Sequence, residues 1–339
     1  MSRMTLGRTG ITVCRSGFGA LPIQRAGMDE AVRILRKAHE NGINFFDTAR
    51  MYSDSEEKIG AAFEHERFSV VLATKSTAVT KAEVLASIKT SLEKLRTDYI
   101  DIMQLHNPES LPDPADPQSS YHGLREAQEK GLVRFIGISN HSLAKAMNAA
   151  QSGLYDTVQF PLSSLSSDAD LSLVNACRET GCGLIAMKAL GGGLITNVAA
   201  SFAFLRQYGI ILPIWGIQTE AELDEILAFE SNPPELDEWM WKSIRKDRFE
   251  LSGMFCRGCG YCMPCPEGIQ INWAARMSLL LRRAPFKPFL ADEWRDRMHR
   301  IRSCTKCGLC KSKCPYGLDT PALLEKNLAD YERFCAEHA

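Results

Sequence analysis

The chain has 339 residues, of which 45% are hydrophobic and 24% charged, and its formal net charge is −1. This composition is ordinary for globular domains, and the length suits one large domain followed by a small one. The apolar stretches are too short to cross a bilayer, and residues 1–10 lack the apolar run of a signal peptide. We therefore expect a cytoplasmic protein without a membrane span.

The first predicted element is a β-hairpin. Residues 4–6 and 11–13 are short β-type runs, and Gly7 and Gly10 mark the turn between them. A barrel is predicted downstream, and we expect the hairpin to plug its N-terminal mouth.

From about residue 16 to 230, β-type apolar runs alternate with helix-type segments eight times. Strands are predicted at 16–20, 44–49, 70–75, 100–106, 133–139, 157–160, 183–189 and 211–217, and helices at 28–41, 55–64, 80–96, 121–131, 142–153, 170–181, 198–209 and 219–229. Apolar runs that are each followed by a helix indicate parallel strands buried on both faces. Eight repeats favour an α/β fold of the (β/α)8 TIM barrel type over an open doubly wound sheet.

Four chemically active side chains stand at or just after the ends of predicted strands. Asp47 lies at the end of the second strand with Tyr52 in the loop after it, Lys75 ends the third and His106 the fourth. In such barrels, function sits at the C-terminal strand ends. A phenol is a weak acid, but an adjacent ammonium favours its phenolate, a carboxylate holds the ammonium, and an imidazole can donate to a substrate oxygen. The set predicts proton transfer to a carbonyl as a hydride arrives.

Eight of the twelve cysteines form two runs near the C-terminus, and each run ends in Cys-Pro. The runs are Cys256, Cys259, Cys262 and Cys265, then Cys304, Cys307, Cys310 and Cys314. This spacing predicts two [4Fe–4S] clusters. In the bacterial two-cluster pattern the fourth cysteine of each run ligates the other run's cluster, so Cys314 is assigned to the first cluster and Cys265 to the second. The first run departs from that pattern by one residue before Cys265.

The cysteine runs leave two alternatives, structural zinc and a disulfide framework. Zinc sites usually use two cysteine pairs separated by a longer spacer, so the spacing here favours iron–sulfur clusters. The other cysteines, Cys14, Cys177, Cys182 and Cys335, show no ligand spacing and are expected to be plain thiols. We predict the barrel over residues 1–232, a linker with a connecting helix over 233–253, and a small α-rich, dicluster ferredoxin-like domain over 254–339.

Lys and Arg outnumber Asp and Glu over residues 241–339, and the reverse holds before them. We interpret this excess mainly as compensation for the eight ligand thiolates. An acidic electron carrier, such as a ferredoxin- or flavodoxin-like protein, is the other partner that the charge suits, and nucleic acid is not expected.

The barrel region resembles the aldo-keto reductase family. Residues 42–49 with Tyr52 look like the family signature, 73–75 and 105–106 match its Lys and His segments, and 137–140 with Gln159 match its contacts to the nicotinamide amide. With the cysteine runs, the chain looks like the branch of that family fused to a ferredoxin-type dicluster domain. The resemblance implies that Asp47, Tyr52, Lys75 and His106 are a catalytic tetrad with Tyr52 as proton donor.

The resemblance also implies a nicotinamide dinucleotide site. The residues assigned to it are Gly19, Ser139, Asn140, Gln159, Met187, Lys188, Gly191, Gly192, Gly193, Leu194, Gly216, Gln218, Glu222 and Glu225. The glycine loop is expected near the pyrophosphate, and the last barrel helix is expected to offer free N–H groups to phosphate. Relatives that use NADP usually carry Lys or Arg at the start of that helix. Residues 218–223 hold none, and Glu222 would repel a 2′-phosphate, so NAD is favoured over NADP.

Three functions remain open from the sequence. The first is reduction of a small carbonyl compound, or oxidation of the alcohol, by hydride transfer with NAD(P)H and Tyr52 as acid. The second is a barrel that exchanges electrons mainly with the clusters and an external carrier. The third is a non-catalytic, redox-sensing barrel, which the intact tetrad disfavours.

Overall fold

The computed structural model describes residues 1–251, 255–283 and 286–338. They fall into two compact units. The first is Met1–Ala189 with Ala199–Asp237, and the second is Leu190–Val198 with Glu238–Ala339. The predicted partition placed the loop after residue 189 in the barrel, whereas its contacts group it with the C-terminal unit. The predicted boundary at 253/254 lies outside the described residues.

The first unit contains a closed barrel of parallel strands. The strands are β1 Arg3–Thr5, β2 Thr12–Cys14, β3 Gly17–Gly19, β4 Phe45–Asp47, β5 Val71–Ser76, β6 Ile100–His106, β7 Val133–Ser139, β8 Thr157–Pro161, β9 Gly183–Met187 and β10 Ile211–Gly216. Strands β3 to β10 pair in chain order, and β10 closes the barrel on β3. The (β/α)8 prediction is thereby confirmed.

A helix follows every barrel strand. The helices are α1 Met28–Glu40, α2 Ser55–Phe63, α3 Lys81–Leu95, α4 Ser120–Glu129, α5 Leu143–Gln151, α6 Asp168–Thr180, α7 Val198–Arg206 and α8 Glu220–Ser231. Local sequence determines where several of them begin. Thr80 and Glu83 form a capping box at α3, in which each side chain accepts a hydrogen bond from the other residue's backbone N–H.

The N-terminal hairpin closes one end of the barrel, as predicted. Strands β1 and β2 pair in antiparallel register. Met4, Leu6 and Val13 share one buried cluster with inward-facing barrel residues, among them Phe45 and Ile185. Burying these side chains together excludes water from that end, so the site is expected at the opposite end, where the barrel strands terminate.

The second unit is α-rich. Its helices are α9 Glu238–Glu250, α10 Ile271–Ala274, α11 Met277–Arg283, α12 Asp292–His299, α13 Leu309–Ser312 and α14 Thr320–Glu337. The hydrophobic pattern of residues 271–283 predicts one amphipathic helix, and this prediction is wrong because the helix breaks at Ala275 and Arg276. The buried Asn327 of α14 satisfies the break, since its Nδ2 donates to Ala275 O at 3.2 Å and its Oδ1 accepts from Ser278 N at 2.8 Å. In the described parts of both units, no helix is long and apolar enough to cross a membrane.

Candidate active site and iron–sulfur centre

Strand register brings the predicted tetrad to one end of the barrel. Asp47 is the last residue of β4 and pairs with Ala73 of β5, two residues before Lys75. His106 ends β6 and pairs with Ser139, which ends β7 and pairs with Gln159 of β8. Because parallel strands point the same way, all these side chains gather at the C-terminal end.

The Asp47–Lys75 ion pair lies at the centre of the group. Lys75 Nζ donates to both Asp47 carboxylate oxygens, at 2.8 and 2.7 Å, and to Thr48 O at 2.6 Å. Both side chains are almost fully buried. Burial lowers the pKa of Lys75 and raises the pKa of Asp47, and the contact between them opposes both shifts. The pair thus holds an ammonium in a place with little water.

Tyr52 and His106 face each other beside this ammonium. Their ring centroids are 5.9 Å apart and their planes nearly perpendicular, at 83°. Lys75 Nζ lies 5.5 Å from the centroid of the Tyr52 ring. Burial, and then the Lys75 charge, lower the pKa of His106 from 6.5 to about 3, so the imidazole is neutral at physiological pH. A neutral imidazole has one N–H group, so it can donate one hydrogen bond while it stays uncharged.

Gln104 is a member of the site that the sequence analysis missed. Its Nε2 donates to Gln159 Oε1 at 2.8 Å and approaches Asp47 Oδ1 at 3.5 Å. Gln104 pairs with Lys75 in the β5–β6 register and is fully buried. The signal was present, since side chains two apart on a strand face the same side and Gln104 precedes His106 by two.

The residues assigned to the nicotinamide amide lie next to His106. Ser139, Asn140 and Gln159 are each at most 2% exposed. Asn140 Nδ2 donates to Pro108 O at 3.1 Å, and its backbone N–H donates to Gln159 O at 3.0 Å. These bonds hold Asn140 in a buried polar surface. Side-chain donors and acceptors of this kind suit a carboxamide ligand.

The start of α8 is capped by its own residues. The Glu222 carboxylate accepts from Gln218 N at 2.7 Å and from Thr219 N at 3.0 Å, and both of these N–H groups precede the helix, so the phosphate site expected at the first helical N–H groups stays a prediction. Thr219 Oγ1 completes a capping box. Residues 218–223 hold no basic side chain, but Arg25, in the segment after β3, lies next to them. Its Nη1 donates to Gln218 Oε1 at 3.0 Å. Burial and the Glu222 charge raise the pKa of Glu225 one turn on.

Other assigned nucleotide residues line the same strand ends. Gly216 pairs with Gly19, and Gly19 pairs with Asp47. A Cβ on Gly19 would lie 3.0 Å from Trp215 O, so the close approach of two strands requires glycine there. Strand β9 ends at Met187, earlier than predicted, because Lys188 adopts a left-handed conformation with φ 58°. Met187 packs partly buried against the barrel core.

The glycine loop that follows β9 belongs to the second unit. Gly191, Gly192 and Gly193 all have positive φ, from 59° to 85°, a conformation that other residues rarely adopt. Arg276 Nη2 donates to Gly192 O at 2.8 Å, and Arg283 Nη1 donates to Leu194 O at 2.6 Å. Arginines of the C-terminal unit therefore hold the carbonyls of this loop.

Two cavities divide the clustered cysteines as the crossed ligation rule expects. One cavity is lined by Cys256, Cys259, Cys262 and Cys314, and the other by Cys265, Cys304, Cys307 and Cys310 together with Cys262. They contain about 340 and 390 Å³ of empty space, part of it open to solvent. The fourth cysteine of each run thus lies against the other run's thiols.

These cavities fit iron–sulfur cubes. All twelve cysteines lie within the described ranges and are free thiols, so the disulfide alternative is wrong. Among the described residues, no three His, Cys, Asp or Glu side chains converge as ligands of a single metal ion. Thiols spread around a cavity suit a cluster, whereas zinc needs all its sulfurs about 2.3 Å from one point.

Two family models match the chain. The model of the aldo/keto reductase family matches residues 16–201, more than half of the chain, and the model of a 4Fe-4S dicluster domain matches residues 255–319. The chain belongs to the aldo/keto reductase family. The resemblance drawn from the sequence is confirmed for the barrel and for the dicluster domain that follows it.

Curated aldo/keto reductase relatives share the barrel region. Aldo-keto reductase YhdN of Bacillus subtilis is 28% identical over 217 residues, which cover 58% of this chain and 64% of the relative. L-Galactose dehydrogenase of Arabidopsis thaliana is 30% identical over 211 residues, which cover 57% and 66%. The chain therefore spans slightly less than two thirds of the length of these relatives.

Solved aldo-keto reductase structures share the fold. The Klebsiella pneumoniae enzyme in complex with NADPH superposes with a TM-score of 0.63 at 21% identity, covering 73% of this chain and 95% of that one. The holo form of AKR11C1 from Bacillus halodurans gives 0.62 at 20% identity, covering 73% and 96%. At these identities the likeness establishes the fold alone.

Proposed function

We propose that this aldo/keto reductase-family protein is an oxidoreductase that reduces a small carbonyl compound, or oxidises the corresponding alcohol, with NAD(P)H. The observation that supports it most is the buried Lys75 ammonium, which contacts Asp47 and lies beside the Tyr52 ring. Tyr52 and His106 face each other across this point. A proton donor, a stabilising charge and a neutral hydrogen-bond donor thus meet at one end of the barrel.

Each residue has a distinct task in the proposed reaction. Bound NAD(P)H supplies the hydride to the carbonyl carbon. Tyr52 gives its hydroxyl proton to the carbonyl oxygen, which yields the alcohol and a tyrosinate. Lys75 stabilises that tyrosinate, and Asp47 keeps Lys75 charged and in place. Neutral His106 donates a hydrogen bond to the substrate oxygen and orients the carbonyl.

NAD is the proposed preference over NADP. The Glu222 carboxylate occupies two N–H groups at the start of α8 and places a negative charge there. Arg25 partly offsets this charge, but its guanidinium donates to Gln218. A 2′-phosphate would therefore meet a carboxylate and N–H groups that already have a partner.

The two clusters are proposed to pass single electrons to or from a carrier protein in the cytoplasm. The cavity that holds Cys307 reaches the surface, because this cysteine is exposed. Lys306, Lys311 and Lys313 are exposed in the same segment, where Lys306 pairs with Glu325 and Lys311 with Asp319. The excess of Lys and Arg over Asp and Glu in residues 241–339 suits an acidic carrier such as a ferredoxin- or flavodoxin-like protein.

Nicotinamide titration of anaerobic holoprotein tests the hydride chemistry. We expect NADH to bind more tightly than NADPH and to reduce the clusters, which bleaches their visible absorption. The variant Glu222→Gln retains an oxygen for the cap but loses the charge. It should therefore reduce the ratio of NADH affinity to NADPH affinity about tenfold. Absence of binding of either nucleotide at millimolar concentration contradicts the proposal.

A second candidate is a barrel driven by its clusters instead of by nicotinamide. The capped start of α8 favours it, since the N–H groups of Gln218, Thr219 and Glu222 already have partners within the protein. Reduction of carbonyl compounds by dithionite-reduced holoprotein without nucleotide would support this candidate. Turnover with NADH after loss of both clusters, with the barrel still folded, would exclude it.

A further inference from the structure

Arg276 connects two segments of the C-terminal unit that differ in their proposed roles. It lies at the break between α10 and α11 and is only 8% exposed. Its Nη2 donates to Gly192 O in the glycine loop at 2.8 Å. The other side of the guanidinium packs against Gly258, where an added Cβ would collide with Arg276 Nη1.

Gly258 lies inside the first cysteine run and contacts a ligand thiol. Its backbone N–H donates to Cys256 Sγ at 3.4 Å. The neighbouring Arg257 carbonyl approaches Gly192 so closely that a Cβ there would lie 3.1 Å from Arg257 O. A continuous path of contacts therefore runs from Cys256 through Gly258 and Arg276 to the glycine loop.

We propose that Arg276 is a positioning residue that couples the first iron–sulfur cluster to the glycine loop Leu190–Val198. The inference rests on the proposed use of NAD(P)H and on the sequence-based expectation that this loop lies near the dinucleotide pyrophosphate. An electron added to the cluster increases the negative charge beside Cys256. That charge attracts the guanidinium and weakens its hydrogen bond to Gly192 O. Cluster reduction then loosens the loop and lowers nucleotide affinity.

Coupling of this kind is reciprocal, so nucleotide binding must also change the cluster potential. If the reduced protein binds the nucleotide tenfold more weakly, the nucleotide lowers the midpoint potential by about 59 mV, the value of a tenfold ratio for a one-electron couple. ADP-ribose is the suitable probe, because it carries the pyrophosphate but no reducible nicotinamide.

The experiment is a potentiometric titration of anaerobic holoprotein, followed by electron paramagnetic resonance with and without saturating ADP-ribose. We expect a decrease of about 59 mV for one cluster in the wild type and none in Arg276→Met. Arg276→Lys retains a positive charge and one donor, so it should recover part of the shift. Iron and sulfide content must match the wild type in every variant.

Arg283→Met is the matched comparison. Arg283 holds the same loop through Leu194 O and pairs with Asp247 and Glu250, but its described contacts do not include the first cysteine run. Its loss should weaken ADP-ribose binding and leave the potential shift intact. Equal shifts in the wild type and in Arg276→Met would overturn the proposal, as would loss of the shift in Arg283→Met alone.

Hydrogen exchange of the peptide over 190–198 separates this inference from the proposed function. If the wild type binds no dinucleotide, the proposed nucleotide site fails, but the contact path remains testable. Exchange in this peptide should then be faster in reduced than in oxidised wild type and insensitive to reduction in Arg276→Met. An exchange rate that changes neither with the redox state nor with the substitution contradicts the coupling.

Discussion

Lys75 has the central place among the candidate catalytic residues. It contacts the Asp47 carboxylate and also lies beside the ring of the proposed acid, Tyr52. Burying its charged ammonium costs free energy of solvation, and the ion pair with Asp47 offsets that cost. A group kept charged at this expense is typical of a functional site.

Replacing Lys75 tests the electrostatic assignment. Lys75→Met should lower kcat roughly 10²–10⁴-fold, the range for loss of a group that supports proton transfer. The rate profile should also move to higher pH, because the tyrosinate loses its neighbouring positive charge. Steady-state kinetics against pH would measure both effects. Lys81→Met, which removes a partly exposed pair with Glu126, is the control and should leave kcat unchanged.

His106 predicts a specific dependence of stability on pH. Its pKa is about 3 in the folded protein and near 6.5 in the unfolded chain. As the pH falls through 6.5, the unfolded chain takes up this proton and the folded protein does not, so His106 destabilises the fold progressively down to about pH 3.

Urea unfolding at several pH values can measure this contribution. His106→Asn should remove a loss of up to about 1.4 kcal/mol per pH unit between pH 6.5 and 3. His65→Asn, at an exposed histidine, is the control. An acid sensitivity that is the same in the wild type and His106→Asn would show that the imidazole is not buried as described.

At the scale of single residues, chemistry was easier to predict than contacts. Asp47, Lys75 and His106 were predictable because the side chains stand at strand ends of a recognisable barrel. Gln104 was missed because an amide inside an apolar run carries no chemical signal of its own, although its period-2 spacing from His106 was available. The bond between Gln104 and Gln159, which lie 55 residues apart, needed coordinates.

Strands and helices followed the sequence wherever local rules determine them. The ends of β6 and β7 match the prediction, since both runs are apolar and fully or largely buried. Thr80 and Glu83 satisfy the capping-box rule at α3, and Thr219 and Glu222 satisfy it at α8. Applied at α8, the rule predicts that the Glu222 carboxylate accepts from the N–H group of Thr219.

Two elements could not be predicted because distant residues decide them. The predicted helix over 271–283 is broken where Asn327, about fifty residues later, bonds to both sides of the break. Strand β9 ends early because Lys188 turns into the left-handed region. The hydrophobic periodicity of a segment depends only on the residues of that segment, so it predicts neither effect.

At the scale of the whole molecule, one polypeptide combines an aldo/keto reductase barrel with a 4Fe-4S dicluster domain. The proposed hydride transfer would move two electrons together, whereas one [4Fe–4S] cluster passes one electron. In the proposed function, two clusters, one in each thiol cavity, would hold the pair or release the electrons singly.

Crossed ligation of the clusters gives a spectroscopic prediction. Cys314 shares a cavity with Cys256, whereas Cys265 shares one with Cys304. Cys314→Ser should therefore lose about half of the iron and leave the same residual resonance spectrum as Cys256→Ser. Cys335→Ser, outside both runs, should keep both clusters. If the spectrum of Cys314→Ser instead matches that of Cys304→Ser, each run ligates its own cluster.

The sequence by itself determined the barrel and the cysteine runs and predicted the tetrad, because repetition along the chain and short spacings are local properties. Only the tertiary structure decided which thiols share a cavity and that Arg276 holds the glycine loop. These contacts join residues far apart in the chain, such as Gly192 and Arg276. Their formation depends on packing in three dimensions, which spacing along the sequence does not encode.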